Sequence, residues 1–346
     1  MKWIDAFLVG RTQAVKVNGI SSEISSVLSG IPQGSVLGPV LFIIYINDIL
    51  DNITSDGFLF ADDTKIFRQI LSQEDAQALQ SDIDALEEWS NTWLLRFNPK
   101  KCHVLSLGRI ENTQYTMRYK VYGDEMDHVF DEKDLGVTVD SNLTFEDHIA
   151  IKVANAMMGL IRRSFSYLSC YLFRKLYLAF VRPHLEYAQV VWSPSSKKLI
   201  KMIENVQVRA TKVVDGLGSL EYPERLQKLN LPTLVHRRER GAMIEIYKHF
   251  HVYAKDTLAD SFQPRERSTR AHNFQLLERI PRDGVRGIQS NFFFHRNAKE
   301  WNNLPAHVVE AKTLNSFKYR LDKHWEDKPT RFNHNHQTAE RFVEDI

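Results

Sequence analysis

Apolar residues recur at two different spacings along the 346-residue chain, and the spacing changes partway through. Between Ala14 and Val27 they alternate loosely around Asn18-Gly19, a dipeptide suited to a tight hairpin turn. Glycines and prolines then cluster at Gly30, Pro32, Gly34, Gly38 and Pro39. The run from Val40 to Ile46 is apolar throughout, and its pattern fits a buried strand and a buried helix equally well. Phe58-Leu59-Phe60, the polar step Ala61-Asp62-Asp63-Thr64 and Ile66-Phe67 predict a hairpin with the acidic pair at its tip. Beyond Ser72, a residue type that caps helices, Ala76, Leu79, Ile83, Leu86, Trp89 and Trp93 recur every three or four positions. That spacing predicts a helix over 73–95, stopped by Asn98-Pro99. Short strands are predicted at Cys102–Leu107, Arg118–Tyr122 and Leu135–Val139, with Gly123-Asp124 as a turn.

After Thr144 the pattern becomes helical. Thr144 is expected to cap a helix whose apolar face is Ile149, Val153, Met157 and Leu160. Further helices are expected near 171–182, 197–214, 233–252, 292–302 and 313–325, and strand signals nearly vanish. Residues 256–290 are basic and weakly periodic, as in a loop. The chain therefore divides into an α+β region over 1–142, a helical region over 143–255, a basic helical region over 256–327 and a tail over 328–346 expected to be disordered.

Composition narrows the class. The chain is 43% apolar and 25% charged, enough to bury a core. Two cysteines, Cys102 and Cys170, exclude a disulfide framework and suit a reducing compartment. Val36 to Ile46, the longest apolar stretch, is too short to span a bilayer, and Met1–Asp5 has no signal-peptide pattern. An intracellular protein, nuclear or cytoplasmic and not secreted, is expected. The net charge of +2 hides an asymmetry: residues 1–149 hold 12 Lys+Arg against 23 Asp+Glu, and residues 150–346 hold 33 against 20. A basic half of this size raises nucleic acid as a partner.

Two features carry candidate chemistry. Asp62-Asp63 places adjacent carboxylates at a turn, where like charges repel unless a cation joins them, and hard oxygen ligands suit Mg²⁺. An exposed Asp-Asp turn is the alternative. Upstream, Ser29 to Pro39 offers glycines for close backbone approach, with Gln33 and Ser35 as neutral donors; a rigid turn is the alternative. Arg162-Arg163, Lys197-Lys198, Arg237-Arg238 with Arg240, and Arg265, Arg267 and Arg270 are expected to meet phosphates, against solvated helix faces as the alternative. Trp192, Trp301 and Phe292-Phe293-Phe294 are expected in the core rather than as base-stacking platforms, and the histidines lack zinc-site spacing.

Taken together, Ser29-Gly30-Ile31-Pro32-Gln33-Gly34-Ser35-Val36-Leu37-Gly38-Pro39, Tyr45-Ile46-Asn47-Asp48, Phe60-Ala61-Asp62-Asp63-Thr64, Phe97-Asn98-Pro99-Lys100-Lys101-Cys102 and Leu135-Gly136-Val137 resemble, in order and spacing, the reverse transcriptase of non-LTR (LINE-type) retrotransposons. Softer similarity continues through Arg182-Pro183-His184-Leu185-Glu186-Tyr187, Val191-Trp192 and Arg237-Arg238-Glu239-Arg240. The resemblance implies part of a right-hand polymerase palm, then an all-helical thumb and C-terminal domain. It implies RNA-directed DNA synthesis, with an RNA template, a DNA primer and dNTP as partners. Asp62 and Asp63 would hold two catalytic Mg²⁺ ions. Gln33, Gly34, Ser35 and Ala61 would line the template and nucleotide pocket. Lys101, or else Lys100, would lie near the triphosphate as a proton donor, and Leu135-Gly136 would grip the primer.

One departure counts against activity. Polymerases of this family carry another metal-binding aspartate on a strand upstream of the Gly-Ile-Pro-Gln-Gly loop, and Asp5 stands in a different motif context. The chain is therefore expected to be a truncated copy or partial gene model with an incomplete metal site, inactive alone unless the rest of the polyprotein supplies that strand. A non-catalytic nucleic-acid-binding remnant is the alternative. A palm-like nucleotidyl cyclase is a third reading, against which the Pro32-Gln33-Gly34 loop and the basic half argue.

Overall fold

A computed structural model describes residues 2–107, 117–148, 151–194, 196–253, 272–278 and 292–335. Ile149, Arg265, Arg267, Arg270 and the chain beyond 335 lie outside the described residues, as does most of the expected 256–290 loop. The fold is α+β, with helices and small sheets, and every ladder among the described residues has two strands. The chain separates into two units, Met1–Val104 with Ile110–Val129, and Leu105–Arg109 with Phe130–Ile346.

The Gln73–Trp93 helix is the spine of the first unit. Ser72 Oγ accepts the Asp75 N–H at 3.2 Å and caps its start. It ends before Asn98-Pro99, because Leu94 turns into the left-handed region (φ +57°) and returns its N–H to the Ser90 carbonyl. Leu86 and Trp89 form a small core with Ile46 and Ile49, against which Phe42, Leu59, Ile66 and Phe97 pack. The ambiguous apolar run is a helix, Leu37–Ile46, in which Ser35 Oγ accepts the Gly38 N–H at 3.0 Å. Asn18-Gly19, at φ +50° and +85°, forms the expected turn between Lys16–Val17 and Ile20–Ser21. A second small hairpin pairs Lys120–Val121 with Asp124–Glu125. Its turn is Tyr122-Gly123, one residue earlier than expected, since those two residues take the positive φ values.

In the second unit Asp131–Asp134 pairs with Val137–Asp140. The strand expected over Leu135–Val139 is shortened because Leu135-Gly136 is the turn itself. Thr144 does not cap a helix. The Asp140 carboxylate accepts the N–H groups of Asn142, Thr144 and Phe145 and holds them in a loop, and the next helix is Ile151–Ser164. That helix buries Ala154, Met158 and Ile161, while Val153 and Leu160 are about half exposed (46% and 50%). The apolar face is thus rotated by about one position from the expected one, toward the segments it packs on, Tyr177–Val181 and Lys197–Lys212.

Cys170–Leu176 continues through a π-helical turn, Tyr177–Val181, into Arg182–Glu186. The helices Lys197–Lys212, Tyr222–Leu229, Leu234–His251, Phe293–Asn302 and Leu314–His324 come next along the chain. One core gathers Phe173, Tyr177, Trp192, Ile203 and Leu226, and another Met243, Ile246, Trp301, Phe317 and Leu321. Trp192, Trp301 and Phe294 are core residues, as expected, and Phe293 packs against the Trp301 core, whereas Phe292 is 41% exposed. Buried Glu204 joins the elements of this unit. Its carboxylate accepts the N–H groups of Leu234 and Val235, at the positive end of the Leu234–His251 helix, and the Tyr222 hydroxyl. The segment after Lys328 is docked: Thr233 donates to the carbonyls of Thr330 and Arg331, and Lys328 reaches Glu239 and Glu300 across the Trp325 ring. Among the described residues no helix is long and apolar enough to cross a membrane.

His236 lies buried edge-on to Trp325. Burial, helped by Lys328 and Arg331, pushes its pKa down to about 4. The unfolded chain takes up this proton near pH 6.5 and the folded chain only near 4, so protonation favours unfolding. Stability is expected to fall as pH drops through that window, by up to about 3 kcal/mol from this residue. Urea unfolding between pH 7 and 4 checks this, with His236→Phe expected to flatten the slope.

Candidate functional site

Asp62 and Asp63 sit where the pattern places them. Asp56–Phe60 and Asp63–Phe67 pair antiparallel, Phe60 opposite Asp63, with Ala61-Asp62 as the turn and Ala61 at φ +52°. Leu59 and Ile66 point to the small core; Phe58, Phe60 and Phe67 lie on the other, exposed face, with Phe58 and Phe67 stacked at 5.4 Å. Both carboxylates are exposed, so burial does not force a counter-ion on them. Their chemistry still fits Mg²⁺, which keeps several waters and is commonly held by one or two carboxylates plus substrate phosphates. Among the described residues no group of three His, Cys, Asp or Glu side chains could hold a metal ion.

A two-stranded hairpin is marginal in water on its own. This one is held at its open end by Asp82, a buried residue of the Gln73–Trp93 helix. Its carboxylate accepts the N–H groups of Thr54 (2.8 Å) and Ser55 (2.9 Å) and both of their hydroxyls. Arg68, just past the second strand, donates to the same two hydroxyls and pairs with Asp82 at 3.6 Å. Burial pushes the Asp82 carboxyl upward, but the hydrogen bonds from Ser55 and Thr54 outweigh it and hold it below its usual range. Motif reasoning alone passes over Asp82, although its position is a signal: it is an acid on the apolar stripe shared by Leu79, Leu86 and Trp89.

The Gly30–Pro39 loop is also built tightly. Arg11 donates to the carbonyls of Leu8 and Gly30, and Ser35 Oγ donates to the Pro32 carbonyl at 2.7 Å. A side chain at Gly38 would meet Ser35 Oγ at 2.9 Å and the Pro32 carbonyl at 3.0 Å, so this turn demands glycine there. Gln33 and Gly34 are exposed at its tip. Lys100 and Lys101 are exposed on a 3₁₀ turn, Pro99–Lys101, capped by the Asn98 side chain. Gln33–Ser35, Asp62-Asp63 and Lys101 therefore stand on three separate turns of one unit.

In the second unit the basic residues fall into two groups. Arg237 makes a two-pronged pair with Glu186 (2.8 and 3.0 Å), Arg240 another with Asp322 (2.5 and 2.9 Å), and Arg238 is buried. Arg237 and Arg240 are therefore occupied by carboxylates of the same unit, whereas Arg238 is buried with both terminal nitrogens lacking a hydrogen-bond partner among the described residues. Arg162, Arg163, Lys197 and Lys198 are exposed. The Lys197–Lys212 helix adds exposed Lys201, Arg209 and Lys212, and its one acid, Glu204, faces inward. Its outer face is thus basic along about 24 Å. Arg162 and Lys212 line a polar pocket of about 310 Å³ with Ser166 and Asp215. The turn Leu135-Gly136 meets Tyr187, a residue that motif reasoning does not single out as part of a site.

Residues 1–170 match the reverse transcriptase (RNA-dependent DNA polymerase) family. The chain is 28% identical over 229 residues to the RNA-directed DNA polymerase from mobile element jockey of Drosophila melanogaster, covering 62% of this chain and 25% of that protein. It is 26% identical over 302 residues to the jockey polymerase of Drosophila funebris (80% and 33%). To the probable RNA-directed DNA polymerase from transposon X-element of Drosophila melanogaster it is 27% identical over 313 residues (82% and 32%). The chain thus spans a quarter to a third of the length of these curated relatives. No solved structure matches. The resemblance carried by the Gly-Ile-Pro-Gln-Gly and Asp-Asp motifs is shown by these matches.

Asp82→Ala removes an acceptor from two N–H groups, two hydroxyls and a guanidinium. It is expected to cost about 3 kcal/mol and to free the 56–67 hairpin first. Hydrogen exchange at the Thr54 and Ser55 amides reads this directly; unchanged protection would show that the hairpin is held by its core face alone.

Proposed function

We propose that this chain, whose residues 1–170 carry the match to the reverse-transcriptase family, is part of an RNA-directed DNA polymerase of a non-LTR mobile element. The observation that carries this reading is the Asp62-Asp63 turn on a braced hairpin within that matched stretch. The first unit would supply part of the palm, and the helices after Ile151 the thumb and the C-terminal region beyond it. Asp62 and Asp63 would hold Mg²⁺, which when bound neutralises charge developing on the transferred phosphate. The reaction joins a primer 3′-hydroxyl oxygen to the α-phosphorus of a dNTP and releases pyrophosphate. Lys101 would hand a proton to that leaving group, and the hydroxyl proton passes to solvent. Gln33, Gly34, Ser35 and Ala61 would contact template and incoming nucleotide, and Leu135-Gly136 the primer.

Asp62 and Asp63 would supply carboxylates from a single turn where two-ion catalysis needs ligands from more than one strand, so the isolated chain should be silent in primer extension on an RNA template with Mg²⁺. Extension that is abolished by Asp62→Ala would overturn this expectation. Asp62→Ala is then expected to abolish synthesis in any longer form of the protein that is active.

A second reading, nucleic-acid binding without catalysis, is favoured by the basic face of Lys197–Lys212. Lys198 is exposed at the helix N-terminus, where the dipole disfavours cations by a few tenths of a kcal/mol, a cost that contact with an outside anion would offset. Duplex binding should weaken with salt, and Lys198→Gln, Lys201→Gln and Lys212→Gln should each reduce the slope of log K against log salt by about one. Slopes unchanged in all three variants would place the phosphates elsewhere. The catalytic reading adds a dependence on Asp62 that the binding reading lacks.

A further inference from the structure

Tyr187 touches the turn proposed as the primer grip, and its own placement is unusually constrained. Its N–H donates to the Pro183 carbonyl at 2.9 Å, and its carbonyl accepts the Trp192 indole N–H at 2.5 Å. The helix before it is fixed by Glu186, which pairs with both Arg182 and Arg237. With the backbone held on both sides, the Tyr187 hydroxyl donates to the Leu135 carbonyl at 2.7 Å. Tyr187 as a whole remains more than half exposed.

The turn it meets is strained. Leu135 has φ +45°, a conformation costing a residue with a Cβ about 1 kcal/mol or more. The first position of such a two-residue turn favours Asn, Asp or Gly, yet here it carries a leucine that is 39% exposed. Gly136 has φ +83°, and a side chain there would stand 3.4 Å from the Tyr187 ring. Beyond the turn, Thr138 donates its N–H to His148, His148 lies against Trp192, and Trp192 returns to Tyr187. The contacts close a ring: Leu135, Thr138, His148, Trp192, Tyr187. Such a ring holds a partly exposed leucine in one conformation on a strained turn.

We infer that Tyr187 is a positioning residue for the Leu135-Gly136 turn, its hydroxyl holding that turn in the shape that meets the 3′-terminal nucleotide of a primer strand. This rests on the reading of the turn as a primer contact, and the two can fail separately. The test compares binding of the full chain to two labelled nucleic acids by fluorescence anisotropy: an RNA–DNA primer–template with a recessed 3′ end, and a blunt duplex of equal length. Tyr187→Phe removes the hydroxyl and keeps the ring. The expected result is a preference for the recessed end that falls about fivefold in Tyr187→Phe, as one lost hydrogen bond predicts, with blunt-duplex affinity unchanged. Leu135→Ala, which removes the presented side chain, should lose the preference as well.

A preference lost in Leu135→Ala but intact in Tyr187→Phe overturns the role of Tyr187 and leaves the primer contact standing. A lower melting temperature in Tyr187→Phe with an intact preference does the same, since it reports a structural role alone. No preference in the unaltered chain, or one indifferent to Leu135→Ala, overturns the primer contact and the role of Tyr187 with it.

Discussion

Two-stranded hairpins do not hold themselves in water, and every ladder described in this protein is two-stranded. Three of these hairpins borrow their order from side chains outside them. The hairpin of Asp62 and Asp63 takes it from Asp82, whose carboxylate ties down the loop entering it while Arg68 ties down the exit. The 120–125 hairpin takes it from the same helix, where Gln80 exchanges two hydrogen bonds with Lys120 and Glu87 accepts the Tyr122 N–H. The 131–140 hairpin takes it from Tyr187 at the tip and His148 along one strand. Such small strands keep their order because side chains outside them hold them.

The same economy separates the charges. Carboxylates that do structural work are turned inward and satisfied, as with Asp82 and Glu204. A bare buried carboxylate would cost several kcal/mol, so each collects backbone N–H groups and hydroxyls. Asp62 and Asp63 lack burial and stand at a tip, where they remain available to a cation. Among the arginines the split is similar. Arg237 and Arg240 are consumed by Glu186 and Asp322, whereas the Lys197–Lys212 helix keeps its cations outside and its one acid inside. Clusters that look alike in sequence, Lys197-Lys198 and Arg237-Arg238, therefore have different fates.

Much was legible in advance because it depends on neighbours in sequence. The Asn18-Gly19 turn, the acidic hairpin tip and the Ser72-capped helix all rest on residues within a few positions of one another. What was not legible depends on backbone conformations and partners, near or distant, that periodicity does not record. The C-terminal end of the Gln73–Trp93 helix and the start of the strand expected at Leu135 moved because Leu94 and Leu135 adopt left-handed backbone that local preference disfavours. Thr144 lost its expected capping role to the carboxylate of Asp140, four residues earlier, and the face of the Ile151–Ser164 helix turned toward the segments it packs on.

By itself the sequence determined the class of the fold, the acidic tip of the Asp62-Asp63 hairpin and the family to which its motifs point. These rest on periodicity, turn chemistry and residue type, which are local properties. Only the tertiary structure decided which charges face water, which side chains brace the hairpins, and that Asp82 and Tyr187 are among them. Burial and pairing are set by residues tens of positions away, 28 in the case of Thr54 and Asp82 and 52 for Leu135 and Tyr187, and no local pattern records such a partner.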